Sequence, residues 1–143
     1  MFNPNHLHLL VKGHIKTAVT EPAELNEWFT QLVHKVGMSV IAGPTSVYCN
    51  DLGNEGITGT VTLATSHSSI HIWDALEPKM FQFDLYSCKE FSPEDVKTSK
   101  SFLNQLVDVI NTDISSSATR KKYQVFVTGG IGPGVTSSLF QTV

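Results

Sequence analysis

Apolar and polar residues alternate with a period of two over much of this chain, and that pattern constrains the fold more than any other feature. Leu7, Leu9, Val11 and Ile15 share one parity, while His6, His8, Lys12 and His14, joined by Leu10, share the other. Ile57, Val61 and Leu63 alternate with Thr58, Thr60 and Thr62. Ile70 and Ile72 alternate with Ser69, His71 and Trp73, and Phe81, Phe83 and Leu85 with Gln82, Asp84, Tyr86 and Cys88. Such segments are strands with one buried and one polar face. A further strand is expected over Ser39–Cys49, interrupted near Gly43-Pro44.

Two helices cover the apolar face. Leu25, Trp28, Phe29, Leu32, Val33 and Val36 form a stripe at helical spacing over 22–36, with Pro22 at the first turn and Gly37 as the left-handed stop. The second helix is predicted over 93–110, with Ser92 as N-cap, Asp95 at the capping-box position and a stripe of Val96, Leu103, Leu106, Val107 and Ile110. The expected architecture is α+β: a two-layer sandwich, an antiparallel sheet with two helices on one face. Residues 1–111 form the body. Residues 112–143 form a Ser/Thr- and Gly-rich C-terminal extension with one short strand at Tyr123–Thr128, ending in a linker-like run from Gly129 to Gly134.

With 143 residues, 41% of them hydrophobic, the chain is sized for one core. A net charge of −3 argues against nucleic acid as a partner. No apolar run approaches the ~20 residues of a membrane span, and Met1–His6 has no signal-peptide character, so a cytoplasmic location is expected, with Cys49 and Cys88 as free thiols. The terminal glycines are not a phosphate loop, since no Gly-Lys-Ser/Thr follows them. No metal is expected: His67 and His71 lack a third ligand at any zinc-like spacing. There is no Gly-x-Ser-x-Gly elbow for a serine hydrolase. The polar sheet face nevertheless gathers Thr58, His71, Trp73, Asp84, Tyr86 and Cys88, and an exposed Trp73 there points to a ligand or to a homodimer with polar faces inward.

The densest chemistry lies between residues 56 and 88. The run Gly56-Ile57-Thr58-Gly59, then Thr65-Ser66-His67, then His71-Ile72-Trp73, resembles the processing segment of the short prokaryotic S-adenosylmethionine decarboxylases, a family that includes viral-encoded forms. That segment reads Gly-x-Ser-Gly, a hydrophobic strand, and Glu-Ser-His-x-x-x-His-x-Trp. Phe83-Asp84-Leu85-Tyr86-Ser87-Cys88 is similar to the Asp-x-Phe-Thr-Cys strand that follows, and His8-Leu9-Leu10 fits the family's start. The resemblance covers about residues 6–110.

The resemblance implies a pyruvoyl-dependent lyase that cleaves itself before Ser66, turning that serine into a pyruvoyl cofactor. This group forms a Schiff base with the substrate amine and accepts electrons as carbon dioxide leaves. S-adenosylmethionine is the implied substrate, and the product is the aminopropyl donor for spermidine, within polyamine biosynthesis. By the same resemblance, Ser66 is the cofactor precursor and His71 handles protons during processing. Thr58 stands where a serine assists processing, and Cys88 is the proton donor after decarboxylation. Trp73 contacts the adenine, and Asp74 or Glu77 binds the ribose. Thr65 replaces the usual Glu before the cut, so a non-cleaving homologue with a ligand-binding or regulatory role is the rival reading. A pyruvoyl decarboxylase of another amino acid is a further one.

Overall fold

The computed structural model describes residues 6–15, 17–89, 92–110, 123–131 and 135–142; for residues 6, 7, 96, 100 and those from 104 on, only the backbone is described. The elements in chain order are β1 (His6–Ile15), α1 (Pro22–Lys35), β2 (Val40–Cys49), β3 (Gly56–Leu63), β4 (Ser66–Trp73), β5 (Lys79–Ser87), α2 (Pro93–Ile110), β6 (Tyr123–Ile131) and β7 (Val135–Thr142). The strands form one sheet in the order β2-β3-β4-β5-β1-β6-β7, and every neighbouring pair is antiparallel.

The alternation read from the sequence is the alternation of burial. Leu9, Val11, Ile57, Val61, Leu63, Ile70, Ile72, Phe81, Phe83 and Leu85 are all buried, and they form one cluster with Leu25, Trp28, Phe29, Leu32 and Val33 of α1 and Phe102 and Leu103 of α2. Both helices therefore pack on one face of the sheet, giving the α+β two-layer sandwich. Removing each large apolar side chain from water contributes roughly 1.5–3 kcal/mol. The indole N–H of Trp28 donates to the Phe102 carbonyl at 2.9 Å, so the one polar atom of that ring is satisfied inside the core, and α1 is tied to α2.

The helix ends follow their local chemistry. Pro22 opens α1, and Gly37, with φ of 68°, ends its last turn in the left-handed conformation. At α2 the Asp95 amide donates to Ser92 Oγ at 3.1 Å, and the Ser92 amide donates to Asp95 Oδ2 at 2.8 Å, a reciprocal capping box. Val96, Leu106, Val107 and Ile110 of the predicted stripe lie outside the residues whose side chains are described. In β2 the register with β3 shifts between Val40 and Ala42 and again between Ala42 and Thr45, across Gly43-Pro44, where the interruption was expected.

The C-terminal extension differs from the expectation of a single short strand and a glycine-rich end. It holds two strands, β6 and β7, paired as a hairpin from Ile131↔Val135 to Gln124↔Thr142, and β6 lies antiparallel against β1. Gly129, Gly130 and Ile131 belong to β6. Glycine carries no side chain to mark a face, so these positions erased the periodicity by which the other strands were recognised. The Thr112–Thr119 stretch, Arg120–Lys122 and Gly132–Gly134 lie outside the described residues.

Gly59 sets how closely α1 approaches the sheet. A Cβ at this position would stand 2.8 Å from Phe29 Cε2, 2.9 Å from Leu25 Cδ2 and 2.7 Å from Ser46 Oγ. Gly59→Ala is therefore expected to destabilise the protein by about 1–3 kcal/mol, the usual cost of overpacking, measured as a lowered denaturation midpoint with unchanged slope.

Candidate functional site

The site begins at the turn between β3 and β4. Leu63 pairs with Ser66, so only Ala64 and Thr65 remain to reverse the chain. Thr65 takes φ of 56°, a left-handed conformation that a β-branched residue disfavours by about 1–2 kcal/mol. Its Oγ1 donates to the Ala64 carbonyl at 2.7 Å and lies 2.9 Å from Cys88 Sγ. Cys88 follows the last residue of β5. The sequence reading placed it on the polar face with Asp84 and Tyr86, whereas it leaves the strand there and is buried at 6% exposure. Ser66 is half-buried and shares the face of its partner Leu63, the helix side.

The open face of the sheet carries a second group. Thr58 pairs with His71 across β3 and β4, and their side chains meet, Thr58 Oγ1 to His71 Nδ1 at 3.0 Å. Nearer the turn, Asp84 stands between two histidines, with Oδ1 3.2 Å from His8 Nδ1 and Oδ2 3.8 Å from His67 Nε2. The His67 ring stacks on Tyr86 with centroids 5.0 Å apart, and His8 meets the same ring edge-on at 4.9 Å. A shallow cavity of about 330 Å³ lies alongside, lined by Leu10, Lys12, Ser69, His71, Gln82 and Asp84. Among the described residues no group of His, Cys, Asp and Glu is arranged to hold a metal ion.

Trp73 closes the far end of β4, its ring 5.8 Å from that of His71 and its N–H donating to Asn54 Oδ1 at 2.8 Å. The next residue, Asp74, accepts a hydrogen bond from the Tyr48 hydroxyl at 2.7 Å. That bond, with the nearby carboxylate charge, raises the Tyr48 phenol above its ordinary value, because deprotonation would lose the bond and set two anions together. Glu77 is exposed and paired with Lys79 at 2.9 Å.

The chain thus brings Thr65 against Cys88, with Ser66 adjacent, and joins Thr58 to His71 with Trp73 nearby. It does not bring the two groups together. Ser66 and His71 are five residues apart on one strand, about 16 Å, and have opposite parity. The Asp84–His8–His67 contact was not predicted. Its signal was present in the shared parity of these residues, but joining them required the strand order.

The family model for S-adenosylmethionine decarboxylase matches residues 5–121, the bulk of the chain. The chain belongs to that family. A search of the curated proteins returns no match. The family is one of decarboxylases, and this chain is a decarboxylase-like protein of α+β build. No helix among the described residues is long and apolar enough to cross a membrane. The residues present fit the family's pyruvoyl group: a serine, Ser66, follows a strained turn, and a buried thiol stands against the residue before it.

The Tyr48–Asp74 bond gives a checkable titration. Tyr48 has a folded value raised above 10.0, so the stability it contributes is fully present below that pH and is lost as pH rises through the folded value. Spectrophotometric titration should show one tyrosine ionising late, and Asp74→Asn should move it back toward the ordinary range. A wild-type titration with no late tyrosine would contradict the bond.

Proposed function

We propose that this chain is a pyruvoyl-dependent S-adenosylmethionine decarboxylase that cleaves itself between Thr65 and Ser66 and supplies the aminopropyl donor for spermidine synthesis. The observation that carries the reading is the placement of the Thr65–Ser66 bond, at a two-residue turn with a left-handed Thr65 and with Cys88 at its side.

In the cut, Ser66 Oγ attacks the Thr65 carbonyl carbon. The peptide C–N bond breaks and an ester forms, freeing the Ser66 amine. Loss of the Ser66 α-proton then expels the Thr65 carboxylate and leaves an unsaturated residue 66. Water adds to it and ammonia leaves, which yields the ketone. Strain at Thr65 favours the first step because the cut releases it. Once formed, the pyruvoyl group supplies the carbonyl that takes up the substrate amine and accepts the electron pair freed with carbon dioxide. Cys88 holds the proton that the product carbon requires. Trp73 stacks on the adenine, and Asp74 or Glu77, each already partnered by Tyr48 or Lys79, binds the ribose.

His71 and Thr58 serve as the proton-handling pair of processing. The hydroxyl of Thr58, 3.0 Å from the imidazole, does what a serine would do there. Their separation from Ser66 supports a homodimer in which the pair of one copy serves Ser66 of the other. The open polar face, with Leu10 at 37% exposure on the strand that also carries His8 and Lys12, holds that pair, and the second copy meets it there with its own β3–β4 turn.

Intact-mass measurement tests the cut. Wild-type protein should resolve into two fragments meeting between Thr65 and Ser66, while Ser66→Ala stays a single species near 15.7 kDa. A wild-type chain that stays whole after long incubation would favour the non-cleaving homologue. His71→Ala should slow the cut at least ~10²-fold. Mixing the Ser66→Ala and His71→Ala chains should restore cutting of the latter; no cutting in a mixture that forms dimers would refute the shared site.

A further inference from the structure

The residue before the cut departs from the family pattern, and its side chain has a definite partner. Thr65 Oγ1 has a single proton. That proton is directed to the Ala64 carbonyl at 2.7 Å, so the 2.9 Å contact with Cys88 leaves the thiol as donor. The order of the chain of bonds is therefore Cys88 S–H to Thr65 Oγ1, and Thr65 O–H to Ala64 O. Among the described residues Cys88 Sγ has no other hydrogen-bond partner, and it is 6% exposed, so its orientation rests on this contact.

The backbone makes the same point. At φ of 56° glycine or asparagine would sit with less strain than threonine. What threonine supplies there, and glycine lacks, is a short hydroxyl within reach of the thiol. A strained residue of this kind persists where its surroundings hold it.

We infer that Thr65 is a positioning residue for Cys88. Its hydroxyl aims the thiol proton at the Thr65–Ser66 junction before the cut, and it continues to hold the thiol once Thr65 has become the C-terminal residue of the N-terminal fragment. This rests on the self-cleavage reading, in which Cys88 donates the proton to the product. Thr65 acts through the Cys88 thiol, which its hydroxyl contacts at 2.9 Å, and transfers no proton to the product itself.

The test compares Thr65→Val, which keeps the shape and removes the hydroxyl, with Thr65→Ser, which keeps the hydroxyl. Alkylation of Cys88 by iodoacetamide is read by peptide mass in a Ser66→Ala background, where no cut or turnover intervenes. Thr65→Val should be alkylated about fivefold faster than the parent, the equivalent of one ordinary hydrogen bond, and Thr65→Ser at the parent rate. Thermal unfolding checks that both variants are folded. In chains that retain Ser66, both variants should still cut, but carbon dioxide release from S-adenosylmethionine should fall in Thr65→Val and recover in Thr65→Ser. Equal alkylation of the valine and serine variants would overturn the inference. A wild-type chain that never cuts would instead sink the self-cleavage reading, leaving the alkylation comparison to decide whether the hydroxyl holds the thiol.

Discussion

The connection between β3 and β4 is two residues long, and the pairing of everything around it follows from that length. Because Leu63 faces Ser66, Thr58 must face His71, Thr60 must face Ser69 and Ile57 must face Ile72. A slip of one residue would turn His71 toward the helices and Ile72 toward the open face, exchanging the buried set for the polar one. The buried isoleucines of β4, both under 3% exposed, penalise that slip heavily. Core packing thus fixes the register, and the register fixes the chemistry. The tightness of the turn also forces Thr65 into a conformation its side chain resists, so strain collects beside the Thr65–Ser66 peptide bond.

Membership of a decarboxylase family frames two departures in the sequence, and the structure treats them differently. Thr58 carries a hydroxyl in contact with His71, and a methyl group is all that separates it from serine. Thr65 is shorter than glutamate and uncharged, and it turns its oxygen back onto Ala64 and Cys88 instead of reaching outward. The first change preserves an arrangement; the second creates one.

Much of the fold was legible because burial on a sheet has a period of two and burial on a helix nearly four. Leu9, Val61, Ile70 and Phe83 announced their face, and Ser92 with Asp95 announced a helix start through a hydrogen-bonding pattern that is local in sequence. The β6–β7 hairpin was only half legible, since Gly129 and Gly130 give no sign of a face. The family was readable from motifs, whereas the geometry around them was not. Nothing in the residues themselves told that Cys88 leaves its strand to meet Thr65, or that Asp84 stands between His8 and His67, because those contacts depend on which strands are neighbours.

The family match ends at residue 121, before β6 begins, yet β6 lies along the outer side of β1 from His6 to Gly13. Without that hairpin β1 would be the margin of the sheet, offering a row of unsatisfied amides and carbonyls to any extended chain. The opposite margin, β2, is defended by Pro44 and an irregular register; β1 has no proline and pairs regularly along its length. A chain trimmed to the family boundary would therefore carry an adhesive edge, and its first failing would be self-association into aggregates.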